Sequence, residues 1–254
     1  MQMAAEDIKP YDNEREKGAQ VEQMFDSIAP AYDFMNTAMS FGLHRHWRNK
    51  ALRAVASELN AQGNALNILD IACGTGDVAF ELRRRYPDAR IVGVDLSEGM
   101  LQEARKKLDR LPEEQREGIS FEKGDSLALR FDNDSFDLVT VAYGVRNFEH
   151  LEQGLREMAR VLRPGGMICV IELSEPTNRA ALAMYKLYSG KIIPALGRMV
   201  SGDSRAYSYL PESIAAAPQR DRMTEIMQRA GFSHTRWKSL SFGAVTYYLG
   251  KVEF

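Results

Sequence analysis

The chain has 254 residues, 44% of them hydrophobic and 27% charged, and its 33 basic and 35 acidic side chains leave a formal net charge of −2. That balance excludes wholesale disorder and gives no overall electrostatic drive toward nucleic acid. Two cysteines, Cys73 and Cys169, are too few for a disulfide framework, and no stretch reaches the ~18 uninterrupted apolar residues of a membrane span, so a reducing, cytoplasmic setting is expected.

The first residues, through Lys17, are polar and mixed in charge, without the apolar segment of a secretory signal. Residues up to about 63 read as helical and aromatic-rich. From Asn67 to Leu173 short apolar runs alternate with helical patterns. The runs at 68–72, 91–94, 136–141 and 167–171 are nearly continuous in apolar residues, as in a parallel sheet covered on both faces. Between them Val78, Ala79, Leu82 and Tyr86 share one helical face that stops at Pro87. Ser97 is placed to cap a helix turning Leu101, Ala104 and Leu108 inward. Leu151, Leu155, Met158, Ala159 and Leu162 mark a third helix, closed by Pro164, Gly165 and Gly166. This is a doubly wound α/β layout.

The remainder changes character. Residues 178–217 read as a helix and a loop holding Gly197, Gly202 and Tyr207. A helix near 223–230 precedes two strand-like runs, 234–240 and 244–251, joined by a two-residue turn at Phe242 and Gly243, which predicts an antiparallel hairpin on the sheet edge. The expected division is a helical extension and substrate cap over 1–63, then a domain over 64–254 with a lid insertion at about 178–217.

The run Asp70-Ile71-Ala72-Cys73-Gly74-Thr75-Gly76-Asp77 follows the first strand and opens a helix, so its glycines let a ligand approach the backbone at the carboxyl edge of the sheet. Gly74, Gly76 and Ala79 also satisfy a dinucleotide fingerprint, and spacing alone does not choose the ligand. Asp95 ends the second strand, where an acid takes ribose hydroxyls in either reading. The charges favour a cation. A pyrophosphate at the helix N-terminus would meet Asp77, with Asp70 behind it, whereas S-adenosylmethionine carries an ammonium and a sulfonium. Gly124-Asp125-Ser126 after the third strand adds an acid suited to the adenine side. Asp77 serving only the helix dipole, and Asp125 as a turn residue, are the competing readings. Asp137 reads as structural.

This loop, Asp95 and the run from Arg160 to Gly166 resemble class I S-adenosylmethionine-dependent methyltransferases. The resemblance implies a Rossmann-like, seven-stranded, mostly parallel sheet with an antiparallel C-terminal edge hairpin. Tyr32-Asp33-Phe34-Met35-Asn36, Met39-Ser40, His44 and Trp47, then Gly144-Val145-Arg146-Asn147 and the stretch from Arg160 to Ser174, resemble the ubiquinone/menaquinone biosynthesis C-methyltransferases. The similarity runs from about Val21 to the C-terminus. It implies methyl transfer from S-adenosylmethionine to a ring carbon of demethylmenaquinol, giving menaquinol. Its alternatives are a dual enzyme that also takes 2-methoxy-6-polyprenyl-1,4-benzoquinol, or a small-molecule O- or N-methyltransferase. The segment from Ser204 to Ser213 looks more like menaquinone-only members. The expected cofactor residues are Asp70, Gly74, Thr75, Gly76, Asp95, Leu96, Asp125 and Ser126, with Ala142 contributing backbone. No metal and no nucleic acid are expected. Contact with the inner face of a membrane and a homo-oligomer are left open.

An aromatic carbon becomes nucleophilic when the neighbouring hydroxyl loses its proton, and a phenol with a pKa of ~10 is mostly protonated at neutral pH. Arg146 is the first candidate to stabilise the oxyanion. Its guanidinium stays protonated, so a water held by Arg146, or His44 or His46, would take the proton, while Asn147 orients the hydroxyl. Tyr32, Asn36, Tyr207 and Tyr209 are candidates to line the quinol pocket. The competing readings are a structural ion pair for Arg146, a surface or helix-end role for the histidines, and core packing for Tyr32 and the methionines. The basic, Trp-bearing stretch 44–53 is expected either to face a membrane or to be a solvated helix.

Overall fold

The computed structural model describes residues 4–59, 65–188 and 204–253. The 63/64 boundary and the loop holding Gly197 and Gly202 lie outside the described residues, as does the side chain of Tyr207. Seven strands, β1 (Asn67–Ile71), β2 (Arg90–Asp95), β3 (Ile119–Lys123), β4 (Phe136–Ala142), β5 (Leu162–Leu173), β6 (Ser233–Leu240) and β7 (Val245–Lys251), form one sheet in the order β3-β2-β1-β4-β5-β7-β6. The first five are parallel, and β7 runs antiparallel to both β5 and β6. The chain winds outward from β1 to β3 and then resumes on the other side at β4. The carboxyl ends of β1 and β4 therefore flank the crevice where such sheets take ligands.

The apolar runs become strands because both faces are covered. On one face α4 (Leu43–Ala56), α5 (Asp77–Arg85) and α6 (Glu98–Asp109) press Leu52, Leu82 and Leu101 against Ile68, Ile91 and Leu138. On the other, α8 (Leu151–Val161) and α11 (Asp221–Arg229) bring Leu155, Met158, Met223 and Met227 onto Leu69, Val139 and Val170. Ser97 caps α6 as its sequence predicts, its hydroxyl accepting from the Met100 amide at 3.1 Å.

Two local expectations are corrected. Pro164, Gly165 and Gly166 do not close α8; they lie inside β5, where Gly165 takes φ +81° and its amide reaches the Val252 carbonyl at 2.8 Å. The run bulges out of the pairing with β4, Leu162 standing opposite Phe136 and Met167 opposite Leu138. The hairpin turn has four residues rather than two, Ser241 to Ala244, the first three at positive φ.

The N-terminal helices α1 (Ala4–Asp7), α2 (Lys17–Ile28) and α3 (Tyr32–Ser40), with α4, lie over the carboxyl edge. Lys17 is fully buried, and its ammonium donates to the carbonyls of Ala5 (2.7 Å), Arg146 (3.1 Å) and Phe148 (3.3 Å). Burial pushes its pKa down to about 8 against the attraction of Glu6 and Glu149. Asp26 takes the Ser97 hydroxyl at 2.6 Å and the Gly99 amide at 2.8 Å, fixing α2 to the start of α6. The expectation for the stretch 44–53 fails in one respect. Trp47 and Arg48 are buried, with the indole donating to Ser241 Oγ at 2.9 Å and the guanidinium to Asp77 at 2.9 Å. Neither is available to a membrane.

Lys17→Met would take the ammonium from three carbonyls, of which that of Ala5 keeps the Ile8 amide at 3.4 Å. It is expected to cost roughly 1–3 kcal/mol in urea unfolding and to speed proteolytic cleavage before α2.

Candidate active site

The glycine loop is held by one carboxylate. Gly74, at φ +55°, donates its amide to Asp95 Oδ2 at 2.8 Å, and the Ser97 amide reaches Asp95 Oδ1 at 2.9 Å. Burial pushes the Asp95 pKa up to about 6, against the pull of these amides. A carboxylate accepts at about four lone-pair sites, so Asp95 keeps acceptor capacity for the ligand hydroxyls its position invites. It lines a cavity of about 270 Å³ at the ends of β1, β2 and β4, together with Gly74, Leu96, Asp125, Ser126 and Ala142. Five acids line this cavity, Glu16, Glu22, Asp95, Asp125 and Glu149, and no Lys, Arg or His does so among the described residues.

Three expected cofactor residues are not in that wall. Asp70 is buried behind the loop, where Oδ1 accepts from the Thr140 hydroxyl at 2.6 Å and Oδ2 has no partner. Burial raises its pKa to about 7, with the Thr140 bond opposing and the Asp95 charge adding. Thr75 donates to Asp33 Oδ1 at 2.6 Å and accepts from Lys107 at 2.9 Å. Gly76, at φ +81°, serves packing, since a Cβ there would stand 2.7 Å from the Phe121 ring. The charge argument therefore needs correcting. Asp77 lies between Arg48 and Lys107, each at 2.9 Å, which hold its carboxyl below the usual range despite desolvation. Of the other acids on the wall, Glu22 is paired with Lys123 at 2.5 Å, whereas Glu16 and Glu149 add to the potential of the cavity; the sequence reading missed them because they lie far from the loop in the chain.

A second cavity, of about 320 Å³, adjoins the first, and Phe25, Tyr32 and Tyr143 line both. Its wall is mostly apolar, with Met24, Met35 and Met39 from the cap, so part of the methionine set is pocket rather than core. Asn36, His44, Arg146 and Tyr209 are among its polar groups. Asn147 lies on the first cavity and accepts from the Tyr209 hydroxyl at 3.1 Å, which ties α10 (Ser204–Ala216) to the cofactor side. His46 is exposed.

Arg146 makes the ion pair of the structural reading and also stands on the apolar cavity. Its Nη1 donates to Glu172 Oε1 at 2.7 Å and also to the Tyr143 carbonyl, and its amide reaches Glu172 Oε2 at 3.3 Å, while the side chain lines the apolar cavity. Glu172, buried in β5, carries no motif of its own and was not foreseen. The tautomer of His44 follows from its neighbours. The Ser40 hydroxyl donates to the Asn36 carbonyl at 2.6 Å, so it must accept from His44 Nδ1, also at 2.6 Å, which leaves Nε2 free of the proton. Burial, then the charge of Arg48, lowers the His44 pKa and keeps the ring neutral. Among the described residues no group of three or more His, Cys, Asp or Glu is arranged to hold a metal ion.

Asp70 gives a pH test of the geometry. Its folded pKa, about 7, stands above the unfolded value, so its contribution to stability is full below that unfolded value and is lost as pH rises through about 7. Without ligand, Asp70→Asn is therefore expected to gain stability relative to the parent between pH 5 and 8, read from denaturant midpoints.

Comparison with known proteins agrees with this geometry. The model of the ubiE/COQ5 methyltransferase family matches residues 13–251. The chain is 43% identical over 248 residues to a demethylmenaquinone methyltransferase of Bacteroides fragilis, covering 98% of each. It is 41% identical to a ubiquinone/menaquinone biosynthesis C-methyltransferase UbiE of Syntrophotalea carbinolica, over 92% of this chain and 94% of the other. Among solved structures, the S-adenosylmethionine-dependent methyltransferase of Thermotoga maritima described as a possible histamine N-methyltransferase superposes with a TM-score of 0.61 at 20% identity, over 91% of this chain and 99% of that one, a likeness of fold alone. A Rossmann-like sheet, an acidic ligand cavity beside an apolar one, and the family match over nearly the whole length lead to one conclusion: the chain belongs to the ubiE/COQ5 methyltransferase family.

Proposed function

We propose that this protein transfers the methyl group of S-adenosylmethionine to a ring carbon of demethylmenaquinol, giving menaquinol. One observation carries the reading: a cavity lined by five carboxylates, of which Glu22 is paired with Lys123, and by no basic side chain among the described residues shares a wall of Phe25, Tyr32 and Tyr143 with an apolar cavity. The first suits a ligand with an ammonium and a sulfonium and repels a pyrophosphate. The second suits a prenylated ring. Relatives named demethylmenaquinone methyltransferase, at 42–43% identity over 98% of this chain, support the same substrate.

S-adenosylmethionine supplies an electrophilic methyl; its transfer breaks a carbon–sulfur bond, forms a carbon–carbon bond and releases the ring proton. The residues act around that step. Asp95 takes the ribose hydroxyls, and Asp125 with Ser126 takes the adenine side. Arg146, oriented by Glu172, faces the quinol oxygen and lowers the cost of its negative charge. His44, with Nε2 free, accepts the hydroxyl proton, and Ser40 holds it in that tautomer. Tyr32, Asn36 and Tyr209 shape the ring site, and Asn147 orients the ring oxygen from the cofactor side. The relative named UbiE supports a second reading in which 2-methoxy-6-polyprenyl-1,4-benzoquinol is also accepted.

The test uses methyl-labelled S-adenosylmethionine with a short-chain demethylmenaquinol and with the benzoquinol, products being read by mass spectrometry. Methylation of the naphthoquinol is expected; failure with both acceptors sinks the reading. Asp95→Ala should weaken cofactor binding by roughly 10–100-fold in calorimetry. Arg146→Gln should lower kcat by roughly 10²–10³ while leaving cofactor affinity near that of the parent. Ser40→Ala should lower kcat and shift the acidic limb of its pH profile; an unshifted limb would show that His44 is not the base.

A further inference from the structure

Of the large apolar side chains exposed among the described residues, five gather around the mouth of the apolar cavity: Phe41, Leu43, Met184, Leu187 and Phe242. Phe41 and Leu43 line the cavity and are also exposed, which places them at its opening. Phe242 stands 86% exposed between Ser241 and Ala244, both of which line it. Met184 and Leu187 flank Tyr185 and Tyr188 on α9 (Arg179–Leu187) and its end, and the Tyr188 ring lies 6.2 Å from that of Phe41. Phe41 and Phe242 are at φ +50° and +59°, in turns where a bulky residue carries strain without gaining burial from this chain. Exposed apolar groups assembled in this way mark a contact surface.

The two helices that carry Leu43, Met184 and Leu187 have charges of one sign. Arg45, Lys50, Arg179 and Lys186 are exposed on α4 and α9, and neither helix contains an Asp or Glu, although the whole chain is net acidic at −2. We propose that this rim seats on the surface of an anionic phospholipid bilayer. The aromatic and aliphatic side chains enter the interfacial layer, the basic ones meet the headgroups, and the apolar cavity opens toward the acyl chains. A lipid surface fits because the patch continues directly into an apolar cavity of about 320 Å³ and carries the complementary charge. The proposal deepens the quinol reading by giving a prenylated substrate its route of entry, and rests on that reading only for this consequence.

The full chain is sedimented with vesicles of phosphatidylcholine, alone or in equal parts with phosphatidylglycerol. Binding to the anionic vesicles, weakened by salt, is expected. A triple variant, Met184→Gln, Leu187→Gln and Phe242→Asn, should partition roughly tenfold less or weaker still, the asparagine tolerating the left-handed turn. Arg45→Glu with Lys186→Glu should lower partition by roughly fivefold for each charge removed. Both variants should keep parental S-adenosylmethionine affinity and methylate a dispersed short-chain quinol as the parent does. The proposal is overturned by equal partition of parent and triple variant, by no vesicle binding at all, or by a parental dimer that the triple variant dissociates, which would make the rim a contact between two copies. Because dispersed quinol is assayed separately, lost vesicle binding with retained turnover counts against the membrane surface alone, and absent turnover counts against the substrate reading.

Discussion

The site depends on the Asp95 carboxylate. At the end of β2 it holds the amide of Gly74 from the loop after β1 and the amide of Ser97 at the head of α6. Two elements that would otherwise splay from the switch point are drawn to one side chain. Its pKa of about 6 registers what that arrangement costs, because the charge is removed from water and two amides only partly replace the solvent. A ligand that brings two hydroxyls relieves the same deficit. The loop's stability and its affinity thus have a common origin, and the carboxylate that orders the loop is the one that would hold the ribose.

The helical cap is fastened to this frame by polar contacts rather than by apolar packing alone. Lys17 holds the turn that carries Arg146 and Phe148, Asp26 holds the start of α6, and Asp33 takes both Thr75 and Lys107, the latter at 2.5 Å. Each contact joins a cap residue to an element that also borders a ligand cavity. The apolar cavity has Met24, Met35 and Met39 on the cap side and Leu173 and Arg146 on the sheet side. It therefore exists only while the cap is docked, and the shared wall takes Phe25 and Tyr32 from the cap and Tyr143 from the end of β4. Thr75, expected on the cofactor, instead fastens the cap to the glycine loop.

What could be read before folding follows from the range of the forces involved. Continuous apolar runs such as 68–72 and 167–171 announce buried strands because local composition and burial coincide there. The α6 cap at Ser97 and the edge hairpin were legible for the same reason, being decided within a few residues. Asp95, Asp125 and Arg146 were legible because each lies at a strand end with a recognisable neighbourhood. Glu16, Glu22, Glu149 and Glu172 were not, since an isolated glutamate looks the same on a solvated helix and on a cavity wall. Asp70 and Asp77 failed in the opposite direction. Their position beside the glycines suggested a role on the ligand, but Thr140 takes one and Arg48 with Lys107 take the other, partners separated from them by at least 29 residues. The exposed side of α4 misled similarly, because Trp47 and Arg48 point to the core while Arg45 and His46 remain outside.

The acidic lining has a consequence for the end of the catalytic cycle. When the methyl leaves, the sulfonium becomes a neutral thioether, and the occupant of a cavity walled by Glu16, Glu22, Asp95, Asp125 and Glu149 loses one positive charge without moving. The attraction that helped recruit the donor is then partly switched off by the reaction itself, since Coulomb energy depends on the charge product and not on contact area. Spent donor would keep whatever contacts its ribose and adenine make but lose the field at its sulfur. Fresh donor would therefore compete with it at an electrostatic advantage built into the walls.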